Sequence, residues 1–182
     1  MHTASNHRVR HLVLCALFAA LVAVCSQIAI PMPWGVPINL AVFAVCLAGS
    51  MLGPVWGTAS LVVYVALAAI GVPVLAGFQG GPAAIFGKTG GYAVGYIVAA
   101  LLTGLVTKAL GRRFPVLVLA MVVGCLACYA LGTLWFVFLT HSPLLTALGL
   151  CVLPYLPADA LKIALAALLT VQLDRRLPRD FV

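Results

Sequence analysis

Residues 154–162 read Pro-Tyr-Leu-Pro-Ala-Asp-Ala-Leu-Lys and open an apolar segment that runs on through Ile163 to Leu173. Asp159 and Lys162 stand three apart, so on a helix they share one face. Their neighbours are apolar or small. A charged side chain at membrane depth costs on the order of 2.5–3.5 kcal/mol on insertion scales. An opposite charge one turn away offsets part of that cost but gives no reason for either residue to be there. An intramembrane ionisable pair therefore marks a candidate functional site. The plainer alternative is a structural pair that ties this helix to its neighbours.

Composition identifies the solvent. Hydrophobic residues make up 65% and charged residues 7% of the 182 residues, and the mean hydropathy is +1.23. An average soluble domain is about 25% charged. The chain reads as an all-α integral membrane protein with a single domain over residues 1–182. Its only acids are Asp159, Asp174 and Asp180. The net charge of +7 does not make a nucleic-acid surface, because the basic residues sit in short segments between apolar runs. That pattern sets orientation in a bilayer. Cys15, Cys25, Cys46, Cys125, Cys128 and Cys151 all fall in or beside apolar segments. Small apolar side chains at helix contacts explain them better than disulfides do. Cys125 and Cys128 have zinc-ribbon spacing, but no second pair or nearby His completes a site, so no metal is expected. His2, His7 and His11 read as solvated residues.

Six spanning segments are expected, over residues 12–30, 38–52, 55–70, 92–110, 115–139 and 144–173. Residues 1–10 form a short basic terminus and residues 174–182 a charged, frayed tail. The first segment has about the length of a bilayer crossing. It lacks a small-residue cleavage pattern and reads as a retained span. Ala16 and Ala20, or Ala19 and Ala23, form small-xxx-small pairs on which another helix can pack closely. Pro31, Pro33 and Pro37, with Trp34 and Gly35, break the chain into a loop. Gly53-Pro54 is a tight turn. Pro154 and Pro157 interrupt the sixth segment, so its regular helix restarts at Pro157.

Residues 71–91 read GVPVLAGFQGGPAAIFGKTGG. Seven glycines and two prolines exclude a regular helix through them. The stretch is still largely apolar. Lipid cannot satisfy its backbone, so it must be buried in protein or line a cavity. It reads as an ordered loop between the third and fourth helices that folds over a site. Six spans place both termini on one side. Arg8 and Arg10, then Lys108, Arg112 and Arg113, then Arg175, Arg176 and Arg179 all fall on that side. The positive-inside rule makes it cytoplasmic. The glycine-rich loop and the Asp159–Lys162 pair then meet at the outward end, around a solute-sized site.

Several chemistries are missing. The chain holds no P-loop, no H-E-x-x-H, no Ser-His-Asp set and no paired carboxylates. It is expected not to be an enzyme. Binding or transport is the better class. No chain of acids is available for ion coupling.

Five stretches in order carry a resemblance: PMPWGVPIN, LAGSMLGP from Leu47, GVPVLAGFQGG from Gly71, GKTGGYAVGY from Gly87, and LPADALKIALA. Together they resemble the BioY family, the biotin-specific S components of energy-coupling factor transporters. The resemblance implies a six-helix bundle in the bacterial cytoplasmic membrane with an outward-facing biotin pocket. It implies that Asp159 and Lys162 hold the polar end of biotin. It also implies that the loop around Gln79 to Tyr92 covers the ligand. Ala16, Ala19, Ala20 and Ala23 would face a transmembrane coupling subunit, which works with two ATPases. No cofactor is implied, since ATP is used only by the ATPases.

A carboxylate accepts and an ammonium donates. Asp159 is thus expected to take a ureido N–H and Lys162 to donate to the ureido carbonyl. Tyr92 and Phe78 would enclose the thiophane ring. Gln79, Lys88 or N–H groups of Thr89, Gly90 and Gly91 would meet the ligand carboxylate. The chain departs from the family at two places. Asn39-Leu40-Ala41 stands where Thr-x-Gln is frequent, which puts Ala41 at the glutamine position and leaves Asn39 as the polar candidate. Lys88 stands where proline is common. The rival readings are a membrane scaffold with a structural Asp159–Lys162 pair, or an S component for a different vitamin.

Overall fold

A computed structural model describes residues 2–34 and 36–176. Helix α1 runs His2–Gln27 and is followed by strands β1 (Ala29–Ile30) and β2 (Ile38–Asn39). Helices α2 (Ala41–Ala69), α3 (Pro82–Ile85), α4 (Gly90–Leu110), α5 (Phe114–Thr140), α6 (Leu144–Cys151) and α7 (Leu156–Arg176) complete the described chain. Five helices are long and apolar enough to cross a membrane: Arg8–Gln27, Ala41–Ala69, Gly90–Leu110, Phe114–Thr140 and Leu156–Arg176.

The expected segments differ from these elements in four places, each with a local cause. The basic N-terminus joins α1, because no glycine or proline before Pro31 stops the helix. The second and third segments join in α2, which has non-helical dihedrals at Gly53 (φ 74°, ψ −175°). Only glycine takes that backbone readily, and Pro54 then begins the next turn. The sixth segment divides into α6 and α7, with the helix restarting at Leu156, one residue before Pro157. Finally, the expected loop over 71–91 contains the one-turn helix α3 and gives up Gly90 and Gly91 to α4. The tail residues 177–182, with Arg179 and Asp180, lie outside the described residues, as do Met1 and Gly35.

The break at Gly53 is a reversal. A Cβ on Gly57 would touch Ala48 and Gly49. A straight helix would hold residues 48 and 57 roughly 13 Å apart at 1.5 Å per residue. The two halves of α2 therefore lie against each other. Helix α4 packs along both α2 and α5, while α1 and α7 pack on α2. Val22, Leu61, Tyr64, Leu117 and Met121 are fully buried between them.

The reversal sorts the molecule into two ends. At one end the His11 ring stacks on Trp56 with centroids 5.2 Å apart. Arg112 pairs with Asp174 at 2.7 Å and donates to the Met51 carbonyl at 2.9 Å. At the other end β1 and β2 pair antiparallel, Ala29 with Asn39 and Ile30 with Ile38. The prolines and Gly35 predict a plain loop here, and the short antiparallel pairing of residues outside them makes it a hairpin instead. Its tip is tied to the start of α7: Trp34 Nε1 donates to the Tyr155 hydroxyl at 3.1 Å, and Tyr155 donates to the Val36 carbonyl.

Candidate functional site

A cavity opens at the hairpin end, among α2, α4, α5, the start of α7, and the segment after α2. It holds about 980 Å³ of empty space, its mouth included. Its polar lining is sparse. Asp159 and Lys162 are contributed by α7, Asn39 by β2, and Gln79 and Thr89 by the chain between α2 and α4. Tyr92, Tyr96 and Tyr129 supply aromatic walls, and Cys46, Cys125, Cys128 and Cys151 fill between them.

Asp159 sits in the first turn of α7, where the helix dipole favours an acid. It is 3% exposed and Lys162 is 8% exposed. Lys162 Nζ donates to Asp159 Oδ1 at 2.6 Å. The Tyr129 hydroxyl donates to the other oxygen, Oδ2, and the Cys125 thiol approaches the same atom at 3.9 Å. Both carboxylate oxygens are thus engaged by protein donors from two helices. A buried pair held this way has each charge compensated by protein groups alone. Tyr92 Oη is buried beside the side chains of Thr133 and Cys151. Tyr92 lines the cavity.

The glycine-rich segment is fastened over this cavity by named bonds. Gln27 Nε2 donates to the carbonyls of Val74 and Leu75, each at 3.1 Å, and its Oε1 accepts from Phe78 N–H at 3.0 Å. Trp135 Nε1 donates to the Gly87 carbonyl at 3.0 Å. Gly81 N–H reaches the Ala68 carbonyl at 2.7 Å, and Leu75 bridges Gln79. Leu75, Ala76, Gln79 and Thr89 face the cavity as a result.

Of the candidates from sequence, Asp159, Lys162, Asn39, Gln79, Thr89 and Tyr92 come together around one cavity. Phe78 does not. It is 73% exposed, at the tip of a turn with φ 57°, so it cannot enclose a ring inside the cavity. Lys88 is exposed outside the lining. Gly90 and Gly91 serve packing: a Cβ on Gly90 would strike the Ile85 carbonyl, and one on Gly91 the Trp135 side chain. Asn39 Oδ1 accepts from Ala41 N–H at 3.1 Å and from the Tyr96 hydroxyl at 3.4 Å. On α1, Ala16 and Ala20 are exposed, whereas Ala19 is buried and Ala23 packs against the core. Sequence reasoning missed Tyr129 and Gln27. A tyrosine inside an apolar run needs a partner for its hydroxyl, which is the one signal Tyr129 carried.

The sequence pattern of the BioY family matches residues 1–179. The chain is 38% identical to the probable biotin transporter BioY of Pyrococcus horikoshii over 88% of this chain and 94% of that one. It is 37% identical to the biotin transporter BioY of Rhodobacter capsulatus, over 87% and 90% of the two chains. Its structure is similar to the crystal structure, at 2.1 Å, of the S-component for biotin from an ECF-type ABC transporter. The TM-score is 0.88 at 30% identity, covering 98% of this chain and 96% of that chain.

Proposed function

The chain belongs to the BioY family, and from that premise we propose that it binds biotin and takes it up across the bacterial cytoplasmic membrane as the S component of an energy-coupling factor transporter. The observation that carries the reading is the buried Asp159–Lys162 pair facing the cavity. The ureido ring offers two N–H donors and one carbonyl. Asp159 accepts one N–H and Lys162 donates to the carbonyl, in charge-assisted bonds on adjacent atoms of a small ring. Tyr92 and Tyr96 take the apolar thiophane. The ligand carboxylate points toward Gln79 and Thr89, with Lys88 just outside. The protein holds the solute and does no chemistry on it; ATP is used by partner subunits.

Ligand binding is expected to appear as stability. Biotin at 100 times its dissociation constant should add about 2.7 kcal/mol. The same experiment should slow amide exchange in residues 71–91, which close over the ligand. A melting curve that ignores saturating biotin, with exchange unchanged, would favour the scaffold reading. A shift with another vitamin and none with biotin would keep the transport class and change the solute.

In this reading the two halves of α2 are separate passes, giving six in all with both termini cytoplasmic. The support is the basic end that holds Lys108, Arg112, Arg113, Arg175 and Arg176. A single cysteine at position 112, in a cysteine-free background, is expected to resist an impermeant thiol reagent added to intact cells. Labelling from outside would reverse the orientation.

The partners are a transmembrane coupling subunit and two ATPases. Ala16 and Ala20 are the contact pair, since they alone of the four alanines are exposed on α1. Replacing both by leucine is expected to weaken co-purification of the coupling subunit and leave biotin-induced stabilisation unchanged. Unimpaired co-purification would move the contact elsewhere.

A further inference from the structure

A second cleft lies at the basic end, between His11 of α1, the turn from Gly53 to Trp56, Thr107 and Lys108 of α4, and Arg112 in the turn that follows. It holds about 820 Å³ of empty space, its open mouth included. We propose that it binds the phosphate of an acidic phospholipid headgroup. His11, Lys108 and Arg112 are its basic lining residues, of which Arg112 already has its charge met by Asp174. The guanidinium of Arg112 is fixed by Asp174 and the Met51 carbonyl. The His11 ring lies flat on Trp56, with an interplanar angle of 6°. An imidazole on the cleft wall can offer an N–H donor to a phosphate oxygen. Lys108 is exposed at the mouth.

The surroundings decide for a lipid over a free anion. Val55 lines the cleft and is 69% exposed, and Leu105, next in sequence to the lining residue Gly104, is 47% exposed. A bound headgroup would therefore have apolar side chains at hand for its acyl chains. Trp56 is the amphipathic ring expected at headgroup level. Basic pockets between spanning helices suit acidic headgroups for this reason. The inference is independent of what the other cavity binds.

The full chain can be reconstituted in phosphatidylcholine nanodiscs with and without phosphatidylglycerol, and its unfolding temperature measured. The parent is expected to gain several degrees in the acidic bilayer. His11→Gln with Lys108→Gln should lose most of that gain, because two charge-assisted bonds are removed. Arg175→Gln with Arg176→Gln, which removes charge outside the cleft, should keep it. Inorganic phosphate added to phosphatidylcholine discs should give no gain. The inference is overturned if the parent gains nothing, or if the cleft variant gains as much as the parent. Equal loss in the arginine variant would mean diffuse attraction, and an equal gain from inorganic phosphate would mean a free-anion site; either outcome overturns it. Should the cleft variant fail to fold, Lys108→Gln alone, at an exposed position, decides by the same readings.

Discussion

Asp159→Asn is expected to weaken biotin binding about tenfold to a hundredfold while the bundle stays folded. The reason is donor counting. Lys162 donates to Oδ1 and Tyr129 donates to Oδ2, so both faces of the carboxylate meet protein donors. An asparagine keeps the shape but turns an NH2 group toward one of them. It also leaves the Lys162 ammonium without its counter-charge in a site that is nearly closed to solvent. In the complex the substitution removes the charge-assisted bond from the ligand N–H to the carboxylate, worth about 1.5–3 kcal/mol, and each 1.4 kcal/mol is about tenfold in affinity. Removing both charges is a different experiment. Asp159→Ala with Lys162→Ala takes away the recognition chemistry but also the burial cost, so it should fold and bind no detectable biotin. Tyr129 loses its acceptor there, a penalty of about 1–3 kcal/mol that the rest of the packing can bear. Isothermal titration with biotin, beside circular dichroism and size-exclusion profiles, reads both variants. Parent-like binding by the double variant would sink the recognition role. A double variant that cannot be made folded would show the pair to be structural first.

The pair was legible because the bilayer makes charge conspicuous. Asp159 and Lys162 are the only ionisable acid and base in the middle of an apolar run, and α7 brings them to one face as the three-residue spacing requires. The glycine pattern marks a loop over a site, and the family resemblance singles out Gln79, Thr89 and Tyr92 within it. Phe78 was misplaced because composition says that a turn exists but not which way its tip points; its positive φ settles that only in three dimensions. The joined α2 is a similar case. Gly53-Pro54 reads as a break, but the sequence alone does not say how the two halves meet. That depends on Gly57 lying against Ala48, and on Gly104 of α4, whose Cβ position is occupied by the backbone of Gly53 and Pro54. Gln27 was invisible because its partners are backbone groups 47 and 48 residues away. Contacts to distant backbone leave no periodicity in a sequence.

Gly132→Ala is expected to cost about 1–3 kcal/mol of stability through overpacking and to weaken biotin binding about tenfold or more. The added methyl would fall on the Tyr92 ring, within contact of Cδ1, Cε1 and Cζ. Tyr92 cannot simply step back along α4. The residue before it, Gly91, is itself pressed against the side chain of Trp135, one helical turn from Gly132 on α5. These two close approaches clamp the start of α4 to α5. The methyl must either drive the ring into the cavity or prise the helices apart. In the first case space for the solute is lost. In the second, Trp135 moves, and with it the bond to Gly87 that fastens the segment over the cavity. Gly149→Ala in α6 makes the contrast, because a Cβ there meets nothing within 4 Å. Helix propensity alone should then stabilise the protein by about 0.5–1 kcal/mol. Thermal unfolding in detergent and biotin titration on the two variants give opposite signs if close packing of α4 on α5 shapes the site. If Gly132→Ala matches the parent in both measurements, the wall at Tyr92 has slack, and the site does not depend on that clamp.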